Sequence, residues 1–384
     1  MSADLPLRGV RVLELCWVWS GPLLGQLLAD LGAEVIKIEW FKRFDLYRTR
    51  GVERLAGKYP EEVRREMSQS FHGLNRNKIG VTLDLKDKDH RQSMLELVKQ
   101  SDMVIENFTV GTLERLGIGF ETLAVANPKI VLLSLAGFGA TSTLADMRAY
   151  GLALSSLSGL EIGVVDSRDG SFLGSPTFVS SDPNAASYGL LTAIAAILDA
   201  RRSDKGAHVE MSQLEAAGHI GADDDASLIE LARDLGLDPT LPASSTDIVP
   251  TGDGQHLCVE SGKRMVAGAF EIFCRQARSQ SADEALASLE SAGGRGVRVV
   301  EKAAEFGAGA ATESTLLSTI HPVSGAENIV AAPWWVDGHR PPLRKTAPTL
   351  GEGNAYVLGK LLGWPYERYA ALGSDPAHKE SIRG

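Results

Sequence analysis

Apolar positions along the first 40 residues change their period twice. GVRVLEL (9–15) is a short apolar run suited to a buried strand, PLLGQLLADLGA (22–33) places leucines at helical spacing, and EVIKIE (34–39) returns to a strand. The pattern recurs as IGVTLDL (79–85), a helix near 88–100, DMVIENF (102–108), a helical stretch ending near Asn127 and KIVLLSL (129–135). Strands of continuous apolar character alternating with helices predict an α/β fold, a parallel sheet covered by helices.

A long apolar helix is predicted from about 183 to 202, then a strand over HVEMS (208–212) and a helix through about 236. ASSTDIVPTGDGQ (243–255) shifts to small residues, Pro and Gly, the signature of a linker and a change of domain. Residues 250–325 carry little periodicity, and a helical segment returns at GNAYVLGKLLG (353–363). A chain of 384 residues exceeds one ordinary domain. The expected division is a large domain over 1–225 and 335–384, with a smaller α/β domain over 245–334.

Charge and cysteine content narrow the function classes. A net charge of −10 without a Lys/Arg run argues against nucleic acid, yet leaves room for an anionic cofactor held by a few local cations. Cys16, Cys258 and Cys274 form no CxxC or Cys/His cluster, so neither a metal site nor disulfides are expected. The N-terminus shows no basic-then-apolar leader and no apolar run reaches 18 residues, which predicts a cytoplasmic protein with no membrane contact.

The first βα turn, CWVWSGPLLGQ, lacks the GxGxxG of dinucleotide sites. Trp17, Trp19 and Gly21-Pro22 there read either as a helix start with Pro at its first position or as the lining of an adenine or acyl pocket. GxSxG, HExxH and Walker A signatures are absent, and His72, His90, His208 and His219 sit in no pattern that names a base. In VSSDPNAASYG, Asp182 precedes Pro183 at the mouth of the long helix. Either Ser181 or Asp182 caps that helix, or Asp182 is a functional carboxylate.

Several separated segments bear on those readings. LRGVRVLEL, SGPLLGQLLADLGAEVIKIE, Asp45 through Arg48, LNRNKIGVTLDLK, IENFTVGTLERLGIGFETLAVANPKIVLLSLAGFG, SGLEIG, the helix opened by Asp182, DKGAHVEMSQLEA, HPVSG and APTLGEGNAYVLGKLLG resemble, in this order, the class III CoA-transferases. That family includes formyl-CoA transferase and the carnitine and bile-acid CoA-transferases.

The resemblance implies a Rossmann-like large domain, a smaller domain and an interlocked dimer. It also implies transfer of CoA from an acyl-CoA to a free carboxylic acid through covalent intermediates on Asp182. CoA or acyl-CoA would be a substrate, with no tightly bound cofactor. By the same matching, CoA contacts fall on Val18, Trp19, Asn77, Lys78, Asn107, Phe108, Arg115, Arg148 and Tyr150. Gly252 and Gly254, in PTGDGQ, match a glycine loop at the active site.

Three departures stand out: Trp40 replaces an Arg that contacts phosphate in some relatives, AYG (149–151) replaces a Tyr-Asp pair, and 255–320 is shortened. Two alternatives share the fold. An α-methylacyl-CoA racemase needs a His/Asp pair, but Tyr150 occupies the place of the His. The chain could instead be one subunit of a heteromeric transferase rather than a homodimer.

Overall fold

The computed structural model of the chain describes residues 5–159, 171, 179–221, 245–261, 269–299 and 315–372. It divides into two units, Met1–Ala222 with Thr315–Gly384, and Asp223–Ser314. The SGLEIG segment beyond Gly159 and the helix expected to run to 236 beyond Gly221 lie outside the described residues.

In the larger unit, six strands form one sheet: β1 (Arg11–Glu14), β2 (Glu34–Glu39), β3 (Ile79–Thr82), β4 (Met103–Glu106), β5 (Val131–Ala136) and β6 (Ala207–Ser212). Every pairing is parallel, and the order is β3-β2-β1-β4-β5-β6. This is the Rossmann order, with its reversal between β1 and β4.

The two faces explain the unbroken apolar strands. Val12, Val35, Met103, Ile105, Val131 and Leu133 pack toward the helices Ser20–Asp30 and Ser181–Ser203. Their strand neighbours Leu13, Ile36, Val104 and Leu132 pack on the other face with Met94 and Leu97 of the helix Lys88–Val98 and with Val357 and Leu358 of the tail. Alternating side chains point to opposite faces, so a sheet covered on both sides needs apolar residues at each position. The tail continues this cover: Asn354 accepts the Thr82 N–H at 2.9 Å, beside a wide π-type turn at Ala355–Leu361.

The return of the chain to the larger unit comes at Thr315 rather than 335. The reason is a hairpin, β10 (Leu316–His321) with β11 (Gly325–Val330). Arg76 donates to the Val330 carbonyl at 2.6 Å, and Glu327 meets His72 at 2.8 Å, so buried polar contacts tie the hairpin to the N-terminal half.

The smaller unit is α/β as well: an antiparallel sheet of β7 (Ser245–Pro250), β8 (His256–Ser261) and β9 (Arg295–Arg298), with helices Ala269–Ala277 and Ala282–Ser291. Val249, Leu257, Val259, Phe273 and Leu289 form its core. A capping box between Ser281 and Glu284 starts the second helix.

Candidate active site

A cleft of about 1030 Å³ opens at the carboxyl ends of β1 and β4, where the strand order reverses. Ligands of open α/β sheets bind at such switch points because the loops from the two central strands diverge there. The loop after β1 supplies Trp17, Val18 and Trp19, and the loop after β4 supplies Asn107 and Phe108.

Without a glycine fingerprint, the first loop is held by side chains. Asn107 accepts from the Trp17 N–H at 2.9 Å and donates to the Trp17 carbonyl at 2.8 Å. Val18 sits at φ 73°, a costly conformation for a β-branched residue, and its N–H donates to Asp45 at 2.9 Å.

Asp45 is in turn gripped from below by a buried charge network. Lys37 lies 2.8 Å from Glu14 and 3.1 Å from Asp45, Lys78 lies 2.7 Å from Glu14, and Arg48 joins Glu39 at 2.8 Å to Glu66 at 2.7 Å. Burial alone would lower the Lys37 pKa, but Glu14, Asp45 and Glu39 together hold it above its ordinary value. Burial alone would raise Glu39, and Arg48 brings it down to about 2. These charges persist only as a set, since removing one partner leaves another uncompensated in the core.

Asp182 stands in the first turn of the helix Ser181–Ser203, and neither it nor Ser181 caps that helix. Ser180 occupies the cap position without a side-chain bond, and the Ser181 hydroxyl donates to the Gly151 carbonyl at 2.9 Å. The Asp182 carboxylate instead accepts from the backbone N–H of Ser20 at 3.3 Å, at the start of the other helix packed on this face. Two helix N-termini thus face one carboxylate, and both favour its charged form. Burial works in the opposite direction and outweighs the Ser20 bonds, so the pKa lies above the ordinary aspartate value. Burial thus makes this carboxylate more basic than a solvated one.

Gly151, at the start of the helix Gly151–Leu157, closes on this group from the third side. A Cβ there would fall 2.0 Å from Asp182 Oδ2. Pro22 and Pro183 are each the third residue of their helices rather than the first, still within the turn whose N–H groups need no intrahelical partner.

The structure brings Val18, Trp19, Asn107, Phe108, Arg148, Tyr150 and Asp182 around the cleft, with Arg148 and Tyr150 as exposed rim residues. Phe108 meets Trp17 edge-to-face at 5.6 Å. Asn77, Lys78 and Arg115 do not line it. Asn77 is buried, donating to Asp30 at 2.8 Å and accepting from the Arg344 and Lys345 N–H groups, which clamps the returning tail. Lys78 is buried between Glu14 and the Pro22 carbonyl, and burial lowers its pKa to about 8. Arg115 spends its guanidinium on its own turn, through Thr112 Oγ1 at 2.8 Å and the Val110 carbonyl.

Gly252 and Gly254 lie in the β7–β8 turn of the smaller unit, where Gly254 takes φ 79° and the Gly252 N–H donates to the Gln280 carbonyl at 2.7 Å. Among the histidines, His72, His90 and His208 are each engaged by neighbours in the fold, and the side chain of His219 lies outside the described residues. No described group of three or more His, Cys, Asp or Glu is arranged to hold a metal.

Further residues that the sequence had not assigned to CoA contacts also line the cleft. Trp40 and Arg43 face each other across a tight turn after β2, and Asp84, Leu85 and Lys86 follow β3. Tyr47 and Arg50 come from the segment after Asp45. Arg43, Arg50, Lys86 and Arg148 are all exposed cations, and none forms an ion pair with a described carboxylate. Four exposed cations with no ion pair to a described carboxylate thus line this cleft in a chain of net charge −10.

Residues 7–276 match the model of CoA-transferase family III. The chain belongs to that family. Among curated proteins, the succinate–glutarate CoA-transferase of Agrobacterium fabrum is 33% identical over 251 residues, covering 65% of this chain and 62% of that protein. The acetyl-CoA:oxalate CoA-transferase of Acetobacter aceti is 35% identical over 216 residues, 55% of this chain and 51% of that protein. The chain thus spans about half to three-fifths of the length of these curated relatives. A CAIB/BAIF family protein from Brucella suis shares the fold over 94% of this chain and all of its own, with a TM-score of 0.75 at 21% identity. No described helix of this family III member is long and apolar enough to cross a membrane.

Proposed function

We propose that this chain transfers CoA from an acyl-CoA to a free carboxylic acid through covalent intermediates on Asp182. The observation that carries the reading is the placement of that carboxylate, raised in basicity by burial yet facing two helix N-termini, in a cleft lined by four exposed cations.

A carboxylate oxygen of Asp182 attacks the thioester carbonyl, the C–S bond breaks, and CoA thiolate leaves a mixed anhydride. The thiolate then attacks Asp182 Cγ, expelling the donor carboxylate and leaving an aspartyl-CoA thioester. An acceptor carboxylate attacks Cγ to form a second anhydride and release thiolate. Attack of that thiolate on the acceptor carbonyl yields the new acyl-CoA and restores Asp182. No net proton moves, so the site needs no general base. Trp17, Phe108 and the apolar walls limit access of water to the anhydride.

Arg43 and Lys86, beside Trp40, supply cationic contacts to CoA phosphate where Trp40 cannot. Leu191 and Leu198 are exposed apolar residues on the Ser181 helix, which supports a second copy of the chain as partner. Light scattering at micromolar concentration should give the dimer mass, and a monomer would remove that part of the reading.

The covalent step is tested by incubating the protein with acyl-CoA thioesters and hydroxylamine, then mapping the hydroxamate by peptide mass spectrometry. The expected result is a single hydroxamate at Asp182, absent from Asp182→Ala. Turnover without labelling at Asp182, or transfer surviving in Asp182→Ala, would overturn the mechanism.

A further inference from the structure

Of the buried carboxylates, Glu14, Asp30, Glu39, Asp45, Glu66 and Glu327 each pair with a lysine, an arginine or His72. Glu106, 8% exposed, pairs with no described cation. A carboxyl taken out of water without a counterion is favoured as the neutral acid. Glu106 is thus the buried acid whose charge the fold leaves unanswered, and its pKa rises accordingly to about 7.

Its place makes that proton matter to the cleft. Glu106 ends β4, directly before Asn107 and Phe108, and its Oε2 accepts the Phe108 N–H at 2.7 Å. Behind Phe108 lies a recess of about 130 Å³, and Phe108 lines this recess as well as the cleft. Glu106, Ser134 and Glu210 stand in one row across β4, β5 and β6, and all three line the recess. The Ser134 hydroxyl bonds the Glu106 carboxyl and lies 3.1 Å from Nε2 of the exposed His208, which gives the proton a path to solvent. Glu114 and Glu210, the other charged groups on the recess, both oppose a charge on Glu106, and the Cys16 thiol at the end of β1 feels that charge as well.

Ionised Glu106 would set an uncompensated anion behind the wall of a cleft that receives CoA, a ligand that carries phosphates and departs as a thiolate. Like charges separated by an apolar wall repel with little screening. An ionised carboxyl also draws water into the recess, which loosens Phe108 from behind.

We infer that Glu106 is a positioning residue that must carry its proton for the Asn107–Phe108 wall to receive CoA, so that CoA binding and protonation of this carboxyl are coupled. The inference rests on the transferase reading for the ligand and on Glu106 for the coupling. The neutral form is the binding form, so affinity is complete below the Glu106 pKa and is lost as pH rises through about 7. Reciprocally, bound CoA holds the proton in place.

The test is calorimetric titration of CoA into wild type, Glu106→Gln and Ser134→Ala, from about pH 6.5 to about pH 8.5, in two buffers of different ionisation enthalpy so that protons are counted. Wild-type affinity should fall about tenfold across that range, with net proton uptake on binding just above pH 7. Glu106→Gln has the shape of the neutral acid, so it should keep the low-pH affinity throughout and lack the uptake. The phosphates of CoA titrate alike against both proteins, so the difference belongs to Glu106. Ser134→Ala loses a bond that favours the anion and should move the midpoint to higher pH.

A fall in affinity that Glu106→Gln shares, or a midpoint moved down in Ser134→Ala, would overturn the inference. The proton count on wild type decides the matter even where a variant does not fold: uptake sustains the coupling and its absence refutes it. CoA that binds wild type at no pH would instead overturn the transferase reading, and the coupling with it.

Discussion

Replacing Gly151 by alanine tests whether the position of the Asp182 carboxylate, rather than its mere presence, sets the reaction rate. The backbone at Gly151 lies outside the left-handed region, so alanine adopts it without strain and suits the helix it begins. The new Cβ would sit 2.0 Å from Asp182 Oδ2 and 2.2 Å from Val179 Cγ1, where ordinary contact begins at 3.4 Å. The carboxylate is the flexible party, so it moves by more than an ångström, and the 3.3 Å bond from the Ser20 N–H breaks.

Misplacement of a reacting atom by an ångström costs about a hundredfold in rate, or about 2.7 kcal/mol in the barrier. The assay is the single-turnover rate of Asp182 acylation, trapped with hydroxylamine, alongside a thermal melt. We expect a rate about a hundredfold down, with a melting temperature lowered modestly because Val179 must also give way. A Gly151→Ala protein that folds and acylates within threefold of wild type would refute the claim that this contact positions the nucleophile.

Two further expectations concern the walls of the site. Glu106, behind Phe108, accepts the Phe108 N–H at 2.7 Å, and burial pushes its pKa up to about 7 against 4.5 for the free group. Its folded-state stabilisation is complete below pH 4.5 and is lost as pH rises through 7. Urea melts should therefore show Glu106→Gln gaining on wild type by about 3 kcal/mol between pH 4 and pH 8, and a pH-independent difference would count against this. Arg43→Gln should raise the KM for acyl-CoA about tenfold with a weaker salt dependence, through loss of a charged phosphate contact. Steady-state kinetics at two ionic strengths check this, and an unchanged KM would remove Arg43 from the phosphate site.

How much of this was legible in the chain follows from what each signal measures. Hydrophobic period is local, so β1 through β6 and the long Ser181 helix could be read directly, and a sheet buried on both faces left continuous apolar runs as its trace. The segments resembling the transferases located Asp182 at the mouth of that helix. They could not say whether it capped its own helix or faced another, because Ser20 lies 162 residues away in the chain.

Other assignments turned on burial that only packing decides. Asn77 and Lys78 occur in a recognisable block, yet Asn77 clamps the returning tail and Lys78 compensates Glu14 in the core. Arg43 and Arg50 left no mark in sequence, and Tyr47 and Lys86 lay in recognisable segments without a role, until the parallel order aligned the ends of β2 and β3. The β10–β11 hairpin likewise joins the larger unit through Arg76 and His72, which stand 254 and 255 residues from their partners. Sequence by itself determined the alternation of elements, and with it a parallel sheet. Tertiary structure alone decided which distant charges meet, because charges in a core persist only when the fold supplies their counterions.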